Sequence, residues 1–219
     1  MIHTLEADGV QLKYGEWKIL SDIYIKCETG CVTGLLGRNG MGKTTLMNII
    51  YGSRKAQSQS VRADGLHVAC AYKVPKLVTY LPQFNFIPDG LNIQRIFADF
   101  QVSYDLLVES LPELGDRYLT KFDELSGGQK RLVEIFLVLK TPGRFALLDE
   151  PFSMLSPFWI ELVKSWINEE KQYKGILLTD HLYHEVMEVS DQLYVLTNGK
   201  THFIKDKSEV AWLGYAKFS

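Results

Sequence analysis

The chain has 219 residues, a length suited to one compact domain, or one domain with a small subdomain, with core enough to need no staples. Hydrophobic residues make up 46% and charged residues 23%, and a net charge of −2 gives no general attraction to nucleic acid or anionic lipid. The three cysteines, Cys27, Cys31 and Cys70, have no second pair and no His at ligand spacing, which argues against a zinc site and fits a reducing compartment.

Met1 to Asp8 carries acids and no apolar run, so no secretory signal is expected. Residues 4 to 27 read as strands, with Ile23, Ile25 and Cys27 alternating against Tyr24 and Lys26. Val32 to Leu36 is a short apolar strand running into Gly37, and Thr44 to Tyr51 reads as a helix that Gly52 ends. The polar stretch 53–65 reads as a surface loop. Val68 to Ala71 and Leu77 to Leu81 read as further strands, with Pro82 marking the end of the second. Residues 86–124 change character: Leu91 to Phe100 and Leu106 to Leu111 are helical in pattern, and the segment reads as a small helical insertion. Helices then follow at Gln129 to Lys140, Phe158 to Glu170 and Tyr183 to Val189. They alternate with strands at Phe145 to Leu148, Ile176 to Leu178, Gln192 to Leu196 and Thr201 to Ile204. This alternation predicts a mainly parallel sheet with helices on its faces. The longest apolar run in a helix, Ile135 to Leu139, falls far short of a membrane span, so the chain is expected to be soluble.

Gly37 to Thr44 fits G-x-x-x-x-G-K-[ST] and sits between a strand and a helix, the setting in which such a loop cradles phosphate. Glycines let backbone N–H groups curl around phosphate oxygens, and the following helix points its positive end at the same anion. Lys43 is placed to reach the β- and γ-phosphates, and Thr44 to give a hydroxyl to Mg²⁺. The apolar run Phe145 to Leu148 ends in Asp149 and Glu150, at the carboxyl end of a strand, where ligands of open α/β sheets bind. Asp149 would hold Mg²⁺ and Glu150 would orient the attacking water, although two solvated acids at a strand end are common by themselves. In Leu125-Ser126-Gly127-Gly128-Gln129, Ser126 and Gln129 are spaced as a capping box, an ordinary helix start. The two glycines exceed that need and suit a backbone that a ligand approaches closely.

Together these segments resemble an ATP-binding cassette (ABC) ATPase, the nucleotide-binding subunit of ABC transporters, over about Tyr14 to Lys200, with residues 125–129 carrying that family's signature. The resemblance implies an α/β fold: a P-loop NTPase core with a mainly parallel sheet, an antiparallel β portion near the N-terminus, and a helical subdomain at about 86–140 in a single domain spanning 1–219. It implies ATP held by Gly37, Asn39, Gly40, Gly42, Lys43, Thr44 and Thr45, with Tyr14 stacked on adenine. Gln83 would touch Mg²⁺ and water, and His181, 31 residues after Glu150, would contact the γ-phosphate. Mg²⁺ would thus be held by Thr44, Gln83 and Asp149, with Glu150, His181 and Gln83 serving hydrolysis. In the family two cassettes meet head to tail, so Ser126, Gly127, Gly128 and Gln129 would bind the ATP of a second subunit, identical or not. The expected partners are that subunit and separate membrane-spanning chains, with no nucleic acid, at the cytoplasmic face of a membrane. The rival reading is a non-transport ABC ATPase acting as a mechanical or assembly partner. Ser156 stands where the family usually has Asp, which puts crosstalk between the two sites in doubt; Arg38 and Met41 also depart from the usual loop, with little harm expected. Finally, Phe84, Phe86, Ile87, Ile93, Ile96, Phe97 and Phe100 offer more apolar surface than a small helical pair can bury, and part of it is expected to meet the membrane partner.

Overall fold

The structure, a computed structural model, describes residues 1–206. Its elements run β1 (Thr4–Tyr14), β2 (Trp17–Glu28), β3 (Val32–Leu36), α1 (Lys43–Tyr51), β4 (Ser58–Ala63), β5 (Leu66–His67), β6 (Val78–Leu81), α2 (Ile93–Phe100) and α3 (Tyr104–Ser110). They continue α4 (Gly127–Lys140), β7 (Phe145–Asp149), α5 (Pro157–Glu170), β8 (Gly175–Thr179), α6 (Tyr183–Val189), β9 (Gln192–Thr197) and β10 (Lys200–Ile204).

The strands form one sheet in the order β5-β4-β1-β2-β10-β9-β3-β8-β7-β6. From β9 to β6 every neighbour is parallel, and β1, β2, β4 and β5 make an antiparallel portion at the other end. This is the expected mixed α/β architecture.

All residues of β3, β7 and β8 are buried, as strands covered on both faces must be. The period of two assigns their side chains to opposite layers. Val32 and Leu36, Ala146 and Leu148, Ile176 and Leu178 join the core formed with α4, α5, α6 and residues 87–125. Leu35, Phe145, Leu147 and Leu177 join the second core, under α1, β1 and β2. Gly175 permits the close crossing of β8, because a Cβ there would lie 2.7 Å from the Glu28 carbonyl oxygen.

Two expectations for 53–71 need correction. Residues 58–63 are a strand, not a loop: β4 pairs antiparallel with β1 and buries Val61 and Ala63. β4, next to the short edge strand β5 and with one face toward solvent, shows only those two inward apolar positions, so its period is faint. Val68 to Ala71 is not a strand. The chain turns at Asp64-Gly65, both with positive φ, so β5 follows β4 directly and Ala71–Lys73 is a 3₁₀ turn.

The parallel order places the carboxyl ends of β3, β6, β7 and β8 along one edge of the sheet. Each of the segments that follow them carries a residue singled out above.

Candidate functional site

A cleft of about 590 Å³ opens at that edge, lined by Tyr14, Ile19, Asn39, Gly40, Gly42, Lys43, Thr44, Thr45, Gln83, Glu150 and His181. The loop after β3 supplies its floor. Gly40 has φ 80° and Gly42 φ 99°, left-handed conformations that cost a side chain strain and glycine none. Gly42 is also the N-cap of α1, so that helix begins inside the cleft with its positive end facing in. Gly37 lies behind the lining. A Cβ on it would meet the Leu196 carbonyl oxygen at 3.0 Å and the Lys43 side chain at 3.3 Å, so it is small because the loop packs against β9.

Lys43 is buried, and its ammonium donates to the Gly37 carbonyl at 2.6 Å. Burial lowers its pKa, against the attraction of Glu150, Asp149 and Asp180. The loop thus holds a cation beside several carboxylates with its own backbone as the direct acceptor.

β7 delivers Asp149 and Glu150 differently. Asp149 is 1% exposed; Tyr80 donates to its Oδ2 at 3.2 Å, and its Oδ1 has no hydrogen-bond partner among the described residues. Burial pushes its carboxyl up to about 6, while the Thr44 and Tyr80 hydroxyls pull the other way. A buried carboxylate oxygen without a donor, beside a threonine hydroxyl, suits a hard cation such as Mg²⁺, and the amide oxygen of Gln83 belongs to the same donor class. Glu150 turns into the cleft through a left-handed backbone, φ 52°, a strain of order 1–3 kcal/mol that persists only where the surroundings over-determine it. Its N–H donates to the Thr179 carbonyl at 2.7 Å, and Ser153 donates to its carboxylate at 3.3 Å.

His181 follows β8. Its Nδ1 lies 3.1 Å from Asp180 and 3.7 Å from Glu150. Asp180 is fully buried and accepts from the Phe152 N–H at 2.9 Å and the Leu182 N–H at 3.0 Å, so it braces the loops after β7 and β8 against each other. Burial raises its pKa, opposed first by those amides. Sequence reasoning passed over Asp180 because an acid beside a histidine at a strand end reads as solvated.

Tyr14 sits at the rim, 46% exposed, with the Arg54 guanidinium 5.0 Å from its ring centroid. Ser126, Gly127, Gly128 and Gln129 do not line the cleft. Ser126 caps α4 in a full capping box: the Gln129 N–H donates to its hydroxyl at 3.3 Å, and its own N–H donates to Gln129 Oε1 at 3.1 Å. Gly128 is dictated by packing, since a Cβ there would lie 2.4 Å from the Trp159 ring. Gly127 has open space around its Cα and no packing reason to be glycine. Ser156, at the departure from the family pattern, caps α5 by accepting from the Trp159 N–H at 3.4 Å.

Sequence reasoning also missed Arg131 and Glu134 on α4. Arg131 has no exposed surface and donates to the carbonyls of Pro82 at 2.9 Å, Asp149 at 2.8 Å and Glu150 at 2.9 Å. Glu134, also buried, accepts from the N–H groups of Phe86 at 2.8 Å and Ile87 at 3.2 Å.

Residues 20–153 match the sequence profile of the family described as ABC transporter. The chain is 32% identical over 211 residues, 90% of this chain and 75% of the relative, to a probable ABC transporter ATP-binding protein of Azorhizobium caulinodans. It is 28% identical over 211 residues, 90% of this chain and 88% of the relative, to the lipopolysaccharide export system ATP-binding protein LptB of Haemophilus influenzae. The high-affinity branched-chain amino acid transport ATP-binding protein BraG of Pseudomonas aeruginosa is 27% identical over 209 residues, 90% of each chain. Among solved structures, a nucleotide-free ATP-binding cassette from an ABC transporter superposes with a TM-score of 0.78, at 24% identity, over 98% of this chain and 96% of that one. At that identity the likeness speaks for the fold.

Proposed function

The chain belongs to the ABC transporter family, and from that premise we propose that it is the ATP-binding, ATP-hydrolysing subunit of a membrane transporter. The observation that carries this reading is the convergence of four strand ends on one cleft, which brings Lys43, Thr44, Gln83, Glu150 and His181 together. Phosphoryl transfer asks a protein mainly for positioning and charge stabilisation, and these residues supply both.

ATP would lie with its phosphates on the loop from Gly37 to Thr45 and its base against Tyr14. Lys43 would trade its bond to the Gly37 carbonyl for the β- and γ-phosphate oxygens. Thr44, Asp149 and Gln83 would hold Mg²⁺, which neutralises charge on the phosphates when bound. Glu150 would accept a hydrogen bond from the attacking water, and His181 would meet the γ-phosphate from the β8 side.

The signature segment would serve a second cassette. It lies outside the chain's own cleft, and Gly127 at an exposed helix start leaves N–H groups free to meet an anion. ATP would then close a dimer and hydrolysis would open it. No described helix is long and apolar enough to cross a membrane. The spanning subunits would be separate chains that this one meets from the cytoplasmic side, as the names of the relatives, ATP-binding proteins of transport systems, suggest. The segment around 86–140 would act as the helical subdomain within one cassette.

Purified chain should bind and hydrolyse MgATP. Lys43→Ala should abolish binding in calorimetry and leave the thermal melt intact, because one point charge is lost while backbone and helix dipole remain. Unchanged ATP affinity in Lys43→Ala would remove the basis of this reading.

A further inference from the structure

Arg131 and Glu134 form a buried ion pair, NH1 to Oε2 3.6 Å, in the middle of a helix whose first turn is the signature segment. Burial lowers the arginine pKa and raises that of the glutamate, each opposed by the partner's charge. A pair kept dry is a weak source of stability, since apolar residues of similar volume often do as well. Among the described residues, every direct hydrogen bond these charges make outside the pair goes to the backbone of a segment that carries a site residue. Arg131 holds the carbonyls of Asp149 and Glu150 with one nitrogen and the carbonyl of Pro82, just before Gln83, with another. Glu134 holds the N–H groups of Phe86 and Ile87, just after Gln83.

We propose that Arg131 is a positioning residue for hydrolysis, fixing the strained backbone of Glu150 and, with Glu134, both ends of the Gln83 segment, so that α4 sets where the water-orienting carboxylate stands. This rests on the reading of Glu150 given above. Glu150 has positive φ, and a non-glycine residue holds that conformation only when its surroundings impose it. Three hydrogen bonds to its backbone do so: its N–H donates to the Thr179 carbonyl at 2.7 Å, and its carbonyl accepts from Arg131 at 2.9 Å and, more weakly, from the Ser153 N–H at 3.3 Å. Without Arg131 the carbonyl keeps only the longer bond from the Ser153 N–H, inside the same loop, and loses its tie to α4, so the carboxylate can swing. Among the described residues Arg131 makes no hydrogen bond to the phosphate loop on β3 and α1, so the direct phosphate contacts are spared and any change in affinity is small beside the change in turnover.

The test uses the full chain. Arg131→Met is compared with Arg131→Lys, which keeps the charge but cannot reach all three carbonyls with a fork. The pair Arg131→Met with Glu134→Gln removes both charges together, leaves no lone buried ion, and keeps an acceptor for Phe86 and Ile87. It carries the test if Arg131→Met alone does not fold. Steady-state hydrolysis and calorimetric MgATP affinity are measured for each. The expected result is a kcat lower by about tenfold or more with KM and affinity within about threefold, and partial recovery in Arg131→Lys. In a Glu150→Gln background, removing Arg131 should cost several-fold less than in the wild type, because it acts mainly through Glu150 and only in lesser part through the Gln83 segment. A kcat within about twofold of wild type, a loss confined to affinity, or losses that multiply in the Glu150→Gln background would overturn the proposal. Wild-type hydrolysis by Glu150→Gln alone would instead overturn the assignment of Glu150.

Discussion

Tyr80 and Asp149 meet across the β6–β7 pair, where the tyrosine hydroxyl donates to Asp149 Oδ2 at 3.2 Å. The bond joins the strand that leads to Gln83 with the strand that leads to Glu150. It serves only one carboxylate oxygen; the other is buried with no hydrogen-bond partner among the described residues. Burial therefore pushes the carboxyl up to about 6 from an ordinary 3.8.

Between those two values the unfolded chain gives up its proton first, so rising pH favours unfolding. The folded state keeps its full relative stability below the lower value and has lost this contribution above the upper one. At about 1.4 kcal/mol for each tenfold in proton affinity, the loss is about 3 kcal/mol at most. Asp149→Asn keeps an acceptor for Tyr80 and has no proton to lose. In EDTA, it should be more stable than wild type by about 2–3 kcal/mol at pH 8, and the gap should shrink toward pH 4. Urea unfolding at both pH values measures this. A gap independent of pH would show that Asp149 titrates normally.

Glu150→Gln keeps shape and loses the charge that orients water. It should bind MgATP as wild type does, slow hydrolysis by about a hundredfold or more, and accumulate an ATP-bound dimer. Size-exclusion chromatography with and without ATP reads the dimer. Only monomer with ATP, or near wild-type turnover, counts against the assignment.

Tyr14 offers adenine one ring face, since Arg54 stands over the other at 5.0 Å. Base–aromatic stacking contributes about 1–3 kcal/mol. Tyr14→Ala should raise KM for ATP by about tenfold with kcat little changed, and Tyr14→Trp should restore it. An unchanged KM in Tyr14→Ala would place the base elsewhere.

The parts of the site that were legible in the sequence are those whose chemistry is local. A phosphate loop needs glycines and a lysine at fixed spacing, and β7 needs an apolar run ending in acids; both stand where expected. The capping box of Ser126 and Gln129 is likewise a property of four successive residues. What stayed hidden depends on partners far along the chain. Arg131 reads as a solvated helical cation until the Pro82 carbonyl, 49 residues away, is brought to it. Asp180 reads as a surface acid until Phe152 donates to it. β4 was missed because its inward face is only Val61 and Ala63, although Asp64-Gly65 carries a hairpin signal that could have found it.

The apolar residues of 84–100 divide sharply. Ile87, Ile93, Ile96 and Phe97 are buried in the core shared with the parallel sheet, and Phe86 and Phe100 are half-buried, ring centroids 6.1 Å apart. Packing against the sheet, not only within the helices, absorbs more of this surface than the sequence pattern implied. Phe84 alone of the set is largely exposed, at 78%, and it adjoins Gln83. A membrane partner that touched Phe84 would therefore rest on the backbone next to a residue of the ATP cleft. Burying one phenylalanine contributes about 2 kcal/mol, roughly a thirtyfold change in affinity. Phe84→Asp should thus lose co-purification with the spanning subunit while the isolated chain keeps its melting temperature and ATP hydrolysis. Ile96→Asp, by contrast, places a charge where no water reaches and should destabilise the fold itself. Normal co-purification of Phe84→Asp would show that the docking surface lies elsewhere, and lost hydrolysis in the isolated chain would show that Phe84 serves the ATP site instead.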